Sequence, residues 1–226
     1  MAKTQVLLDT NLLYRTGQLQ VLLDLEERGV LELNISSITA YSEYKKNYEQ
    51  AWRGINAKRL DEMKRIGSSV EQEKLMMQKD FEKESRVISR IKVLDVTEEE
   101  GAAFNIGVKD KSDRFLGATA QKHGIKNILS GDKKAVDKEE LKKAGINFTE
   151  PGQFLAAFTY MNQPAMARIF YKDIKNGRTF PPALNDFDKL LRSSIENVKA
   201  GKVFVIDHPR AGHPVEAYWR AAPVAA

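Results

Sequence analysis

Four acidic residues of this chain stand where a parallel sheet would gather them. Asp9 ends the apolar run VLL, and Asp132 follows the stretch NILSG. Glu43 lies early in the helix predicted after the second strand, and Asp113 begins the helical stretch SDRFLGATA. Because open α/β sheets bind ligands at the carboxyl ends of their strands, we expect these carboxylates to converge at one edge of a sheet.

Converging carboxylates repel one another and need a counter-charge. Two carboxylates about 4 Å apart repel by roughly 4 kcal/mol at an effective dielectric constant near 20, so a cluster of four requires protonation or bound cations. Mg²⁺ or Mn²⁺ would neutralise it, since both ions prefer carboxylate and water ligands. No histidine accompanies the four residues and the chain has no cysteine, which argues against zinc.

Each carboxylate also has an interpretation that involves no chemistry. Asp9 is suited to cap the helix after it, and Asp113 to interact with the dipole of its own helix. Asp132 is equally typical of a turn, and Glu43 of a solvated helix face. Asp110 is a candidate accessory ligand, for which a plain loop aspartate is the simpler interpretation.

The sequence around these residues alternates between strand and helix patterns. Apolar residues at helical spacing fill the stretches between the strands, with three helices between the second and the third. Strands are predicted at residues 5–9, 30–37, 91–96, 125–132 and 146–151. This alternation predicts an α/β domain over residues 1–150, with a central, mostly parallel sheet flanked by helices.

The pattern changes after Pro151. Residues 151–226 are predicted to form a mainly helical C-terminal extension, with one helix in PGQFLAAFTYMNQ and another after the loop NGRTFPPALN. The following segment KVFVIDHPRAGHPVEAYW is strand-like and then rich in turns. No motif indicates what the extension does.

Charge is unevenly distributed along the chain. The net charge is −3 over residues 1–44, +5 over 45–92, −1 over 93–150 and +4 over 151–226. An acidic centre between basic arms would attract a polyanion and hold cations near its middle. The alternative is that lysine and arginine only solvate exposed helices.

Composition predicts a soluble protein without membrane contact. The first residues MAKTQVLLDT lack the long apolar segment of a signal peptide. No apolar run approaches the roughly 20 residues of a membrane helix, and the lack of cysteine fits a reducing compartment. We therefore expect the protein to be cytoplasmic.

Four segments resemble, in order and spacing, the PIN domain family of ribonucleases. They are VLLDTN, ISSITAYSEYKK, SDRFLGATAQKHGI and NILSGDKK, within roughly residues 4–150. The resemblance implies that the family's acidic quartet is formed by Asp9, Glu43, Asp113 and Asp132. Asn11 and Ser130 match the polar positions that support the quartet. The implied activity is Mg²⁺- or Mn²⁺-dependent hydrolysis of RNA phosphodiester bonds, in which the metal activates a water.

The basic helical segment 45–92 occupies the family's region between the glutamate and the third strand, and it is long for that region. The residues expected to contact RNA phosphates, largely blind to base sequence, are Arg53, Lys58, Arg59 and Arg65. Compact members of the family act as toxins of toxin–antitoxin pairs, so an antitoxin partner is also implied. Residues 151–226 match nothing in those compact members.

Other functions fit part of the sequence. The stretch GDKKAVD at 131–137 resembles a motif of haloacid dehalogenase-like phosphatases, with Asp9 as nucleophile. Asn11 stands where those phosphatases carry an acid/base aspartate, so their proton donor is missing. A PIN-like fold with an incomplete site could instead serve as a non-catalytic RNA-binding or assembly module.

Two further groups of residues have competing interpretations. Asp207, His208 and His213 suggest a second metal site, although two histidines in a Pro/Gly turn are more often loop residues. Three aromatic residues at helical spacing could stack on bases, but this pattern is more typical of core packing or of a homodimer interface. They are Tyr44, Tyr48 and Trp52.

Overall fold

The structure is a computed structural model of the 226-residue chain. It describes residues 3–14, 16–108, 113–132, 136–207 and 216–221. The chain divides into two compact units, Met1–Thr149 and Glu150–Ala226. Each unit has its own core and is described by itself.

A five-stranded sheet forms the centre of the first unit, and all its strands run parallel. The strands, in the spatial order β3-β2-β1-β4-β5, are β1 (Thr4–Leu8), β2 (Leu31–Ser36), β3 (Lys92–Leu94), β4 (Asn127–Leu129) and β5 (Asn147–Thr149). The predicted α/β fold with a parallel sheet is therefore confirmed. β1 is the middle strand, so the residue that follows it lies at the centre of the sheet edge.

Burial on both faces of the sheet explains why the sequence of β1 ends in a continuous apolar run. Val6, Leu7 and Leu8 are fully buried, as expected for a parallel strand whose two faces are both covered. Helices surround the sheet, and the first four are α1 (Thr10–Leu13), α2 (Thr16–Glu27), α3 (Tyr44–Ile55) and α4 (Ala57–Arg65). The others in this unit are α5 (Val70–Ile88), α6 (Glu98–Ala103), α7 (Arg114–Lys122) and α8 (Lys138–Lys143).

Several elements of the first unit are shorter than predicted, among them β4 and β5. The helix predicted over residues 97–108 begins with a capping box between Thr97 and Glu100 but ends at Ala103. It stops there because Phe104 turns to an extended conformation and Gly107 has a positive φ of 62°. The strand predicted at 91–96 is only three residues long.

The second unit contains three α-helices, a 3₁₀ turn at Pro182–Leu184 and a hairpin within its described residues. These are α9 (Pro151–Met161), α10 (Gln163–Lys175), α11 (Asn185–Lys199) and the antiparallel strands β6 (Val203–Asp207) and β7 (Glu216–Arg220). Phe170, Phe187 and Leu191 form its buried centre. α10 was not predicted, and the strand β7 replaces the predicted turn-rich end. No helix within the described ranges is both long and apolar enough to cross a membrane.

Candidate active site

The register of β1 and β4 brings Asp9 and Ser130 side by side. Leu8 pairs with Leu129 across these neighbouring strands, and each strand ends there. The backbone N–H of Asp9 then donates to the carbonyl oxygen of Leu129 at 2.9 Å. Two strands separated by more than 100 residues in sequence thus end at one point, as expected for the ligand-binding edge of such a sheet.

A closed set of hydrogen bonds holds the Asp9 carboxylate. Its Oδ2 accepts from the Ser130 hydroxyl and from Asn11 Nδ2. Asn11 Nδ2 also lies 3.1 Å from Ser130 Oγ, and Asn11 Oδ1 accepts from the backbone N–H of Gly131 at 2.9 Å. Ser130 Oγ accepts in turn from the backbone N–H of Asp132 at 3.0 Å. We call Asp9, Asn11, Ser130 and the backbone of residues 131–132 the Asp9 network.

Asp9 carries its charge in a buried position. Only 6% of the residue is exposed, and this burial raises the pKa of its carboxyl group above the ordinary aspartate value. The Ser130 hydroxyl opposes that rise by hydrogen bonding, whereas the negative charge of Asp132 adds to it. The charge of Asp132 therefore acts on the Asp9 carboxyl group.

The structure does not use Asp9 as a side-chain helix cap. Asp9 occupies the N-cap position of α1 with an extended backbone, but its side chain makes no cap hydrogen bond. The backbone N–H groups of Thr10 and Asn11 nevertheless point to its carboxylate closely enough to lower its pKa. α1 is only four residues long, so a cap would stabilise only one turn of helix.

Glu43 is tied to the residue that follows Asp9. The Thr10 hydroxyl donates to Glu43 Oε2 and lies 3.3 Å from Thr39 Oγ1. Ser36, the last residue of β2, donates from its hydroxyl to Thr39 Oγ1 at 3.0 Å. This chain of hydroxyls links the ends of β1 and β2 to Glu43. None of its three hydroxyl residues was predicted to belong to the site.

Glu43 also lies in an unexpected type of helix. An α-helix was predicted here, but Thr39–Glu43 forms a π-helical turn that leads into α3. Such turns are rare and occur frequently at functional sites. Burial raises the pKa of the Tyr14 phenol, and the charges of Glu43 and Asp9 add to that rise, so both carboxylates act on the same region.

Asp113 is positioned by a helix of small residues. It stands at the N-cap of α7 and is half-buried, without a side-chain cap hydrogen bond. Gly117 lets α7 approach closely, because a Cβ there would collide with the ring of Phe104. α7 packs against β2 and β4. These strands therefore fix the position of the helix that carries Asp113 at its N-cap.

The four carboxylates do not form a ready-made cation cage. Among the residues that the structure describes, no three His, Cys, Asp or Glu side chains are placed to hold a metal ion. Asp132 is exposed, whereas Asp9 is buried. The chemistry of the donors fits Mg²⁺ or Mn²⁺, since all four are carboxylates and the charge of Asp132 acts on Asp9. Because the four side chains are not grouped around one point, the metal-binding quartet stays a prediction.

Two candidate metal-binding groups fall where the structure gives no side-chain description. Asp110, His208 and His213 lie outside the described residues, and the side chain of Asp207 is likewise not described. Ser112, expected to cap the helix that begins at Asp113, is outside them as well.

The four predicted RNA contacts fall into two groups. Arg53 forms ion pairs with Glu49, at 3.1 Å, and with Glu73, so its charge is already neutralised. The other three residues are exposed on α4 and make no ion pair within the described parts of the chain. They are Lys58, Arg59 and Arg65.

The aromatic residues of α3 belong to the core. Tyr44, Tyr48 and Trp52 are all buried, which confirms the core-packing interpretation. Tyr44 and Tyr48 pack against Tyr14 and Phe81 with ring centroids 4.7 to 6.3 Å apart. Their rings are therefore not on a surface where they could stack on bases or contact a second copy.

The site is thus a buried, hydrogen-bonded aspartate with one carboxylate beside it and another linked to it through Thr10. The side-chain amide of Asn11 forms hydrogen bonds with Asp9, Ser130 and Gly131. An amide has no acidic proton to donate, as the acid/base residue of the phosphatases must.

Comparison of the chain with known protein families, curated protein sequences and solved structures finds no match.

Proposed function

We propose that this chain is a metal-dependent ribonuclease with a PIN-like fold. The Asp9 network is the observation that carries the proposal. A buried carboxylate with a raised pKa costs stability in its ionised form, and such residues concentrate at functional sites. The location of Asp9 at the end of the central strand fits the ligand-binding edge of the sheet.

The network gives Asp9 a fixed orientation. Both side-chain donors bind Oδ2, which leaves Oδ1 as the oxygen without a side-chain hydrogen bond. Because Asn11 and Ser130 are themselves held by the backbone of residues 131–132, the carboxylate cannot turn without breaking several bonds. A preoriented oxygen of this kind favours binding of a cation.

The remaining carboxylates complete the proposed site. Asp9, Glu43, Asp113 and Asp132 would hold Mg²⁺ or Mn²⁺, which would activate a water for attack on the phosphodiester and stabilise the leaving oxygen. Thr10 orients Glu43 by its hydrogen bond. Exposed cations such as Lys58 and Arg59 would hold the RNA backbone. The proposal includes a toxin role, with an antitoxin protein as partner.

A cleavage assay tests this function. The full chain is incubated with a single-stranded RNA in Mn²⁺ or Mg²⁺ and in EDTA, beside the variants Asp9→Asn and Asp61→Asn. Asp61 is an exposed aspartate of α4 and serves as the matched control. We expect cleavage by the parent and the control only with metal, and none by Asp9→Asn. Cleavage in EDTA, or equal cleavage by Asp9→Asn, would overturn the proposal.

A second function is favoured by one observation. No three acidic side chains of the described residues are grouped to hold a metal, which suits a non-catalytic RNA-binding or assembly module on the same fold. Manganese binding to the full chain, measured by calorimetry, separates the two functions. Binding that Asp9→Asn abolishes supports the nuclease, and RNA binding without manganese binding supports the module.

A further inference from the structure

A cationic stripe lies along one face of α10. It begins at Arg168 and continues three, four and seven residues later with Tyr171, Lys172 and Lys175. This spacing places the four residues on one side of the helix. All four are exposed. Arg168, Lys172 and Lys175 make no ion pair within the described residues of the chain, so their charges are not neutralised by neighbouring acids.

A groove runs between α10 and α11, which pack together. Two adjoining cavities of about 360 Å³ each form it, and they share Tyr171, Ile195 and Lys199 as lining residues. Arg168 lines one cavity, whereas Lys175 and Arg192 line the other. Positive side chains therefore occur along the length of the groove, with Tyr171 between its halves. We call this the α10–α11 groove.

The acids near this groove neutralise only part of its charge. Arg192 pairs with Asp188 at 2.7 Å, and Lys199 pairs with Glu196 at 2.8 Å. The three cations of α10 retain their full charge. Such a surface is complementary to a chain of phosphates.

Tyr171 adds a second kind of recognition. Tyr171 is 40% exposed, although it lies beside Ile195 and Lys199 of α11. The Lys199 ammonium lies 5.8 Å from the centre of its ring. An accessible aromatic ring beside several cations is the combination with which proteins bind single-stranded nucleic acids, where the ring stacks on a base and the cations hold phosphates.

We infer that the α10–α11 groove binds single-stranded RNA. Arg168 and Lys175, which line its two halves, contact phosphates, and Tyr171 stacks on a base between them. Lys172 lies on the same exposed side of α10 but outside the cavity walls, and adds positive charge beside them. The choice of RNA as the nucleic acid rests on the proposed ribonuclease function. The groove would give the second unit a role in holding substrate, which no motif in residues 151–226 indicates.

Binding of a fluorescent oligouridine by fluorescence anisotropy tests the charge contribution. All proteins are full-length and carry Asp9→Asn, so that the RNA is not cut. The double variant Arg168→Gln/Lys175→Gln is compared with Lys202→Gln/Arg220→Gln, which removes the same charge from exposed positions of the same unit outside the groove. Losing two phosphate contacts should reduce the slope of log affinity against log salt by roughly 1.4.

The groove variant should therefore bind on the order of tenfold more weakly at low salt, whereas the control variant should stay close to its parent. Equal loss in both variants would show that only net charge matters and would overturn the groove. Tighter binding to anionic lipid vesicles than to the oligouridine would overturn RNA as its ligand.

Substitutions of Tyr171 test the stacking contribution. Tyr171→Ala should weaken oligouridine binding roughly 5- to 150-fold, the range measured for loss of one base–aromatic stack. Tyr171→Phe keeps the ring and should bind like its parent. Equal affinities of Tyr171→Ala and Tyr171→Phe would overturn the stacking role.

The two proposals fail in different ways. A chain that binds RNA through the groove but never cleaves it would remove the nuclease and leave the groove. A chain that cleaves RNA with metal, but whose groove variants bind like the control, would remove the groove and leave the nuclease.

Discussion

At the end of β1, one carboxylate is buried and both of its side-chain partners are themselves held by hydrogen bonds. On α4, by contrast, Lys58, Arg59 and Arg65 extend into solvent without ion pairs among the described residues. The Asp9 network depends on fixed geometry in a low-dielectric setting. The cations of α4 depend on charge in water, where salt screens them.

This contrast predicts how each region responds to change. Removing one member of a closed, buried network leaves its partners unsatisfied and gives a large effect. Removing one exposed cation weakens a long-range attraction and gives a small effect that depends on ionic strength. The following substitutions should therefore differ both in size and in their sensitivity to salt.

The largest effect is expected for Asp9→Asn. Cleavage of RNA should fall by more than about 100-fold, because a proposed ligand of the activating metal loses its charge. Urea unfolding without metal should show a stability equal to or above that of the parent, since the variant no longer buries a charge. A variant that is much less stable without metal would show that Asp9 has a structural role instead.

The substitution Ser130→Ala should act on stability. It removes the hydroxyl that donates to Asp9 and accepts from the backbone of Asp132. Leaving these buried groups without partners should lower the free energy of unfolding by about 1–3 kcal/mol, measured by urea unfolding. The loss should be similar at low and high salt. A loss that disappears in high salt would mean that the site is solvated rather than buried.

The pH dependence of stability provides the next test. Burial raises the pKa of Asp9 above the value of about 3.9 for an unfolded aspartate. Between those two pKa values the folded state keeps a proton that the unfolded state releases, so this residue lowers stability as pH rises through that window. Above the folded pKa its contribution is constant.

Comparison with Asp9→Asn isolates this contribution, because other titrating groups are common to both proteins. The stability of the variant relative to the parent should increase as the pH rises above about 4 and should level off once the folded Asp9 carboxyl has ionised, as measured by urea unfolding at each pH. A relative stability that decreases with rising pH would indicate that the fold lowers the pKa of Asp9.

The smallest effects are expected on α3 and α4. Replacing all four predicted RNA contacts with glutamine should reduce the slope of log affinity against log salt by about 2, which is the amount for three single-strand phosphate contacts. Arg53→Gln alone should change little, because Glu49 and Glu73 already neutralise that residue. The other three residues of this set are Lys58, Arg59 and Arg65.

Cleavage at saturating RNA should be nearly unchanged in this quadruple variant, since none of the four residues belongs to the Asp9 network. An affinity and a salt slope equal to those of the parent would show that α4 is only a solvated surface. The α10–α11 groove would then be the main path for RNA.

The sequence predicted what depends on local pattern. The apolar runs before Asp9 and Ser130 correctly indicated two strands of a parallel sheet, because strand burial is visible in the residues themselves. That these two strands are neighbours was not predicted. The hydrogen bond from Thr10 to Glu43 could not be predicted, since it depends on how a π-helical turn places residues 33 positions apart. The hydroxyls in ISSIT were the one available signal.

Helix α10 was missed for a different reason. No element was predicted for residues 164–175, although Pro164 is compatible with the first turn of a helix, where the backbone N–H that proline lacks would have had no intrahelical partner. The buried face of α10, with Met166 and Phe170, becomes visible only when α11 supplies the surface that it covers. Tertiary packing decided this element.

The two strands at the sheet borders have a consequence for self-association. β3 and β5 are each three residues long, and Lys92 in β3 bonds Glu32 on the neighbouring strand at 2.7 Å. Short borders that carry charge are poor templates for strand addition by another molecule. Concentrated solutions of the folded chain should therefore resist the growth of cross-β fibres from this sheet.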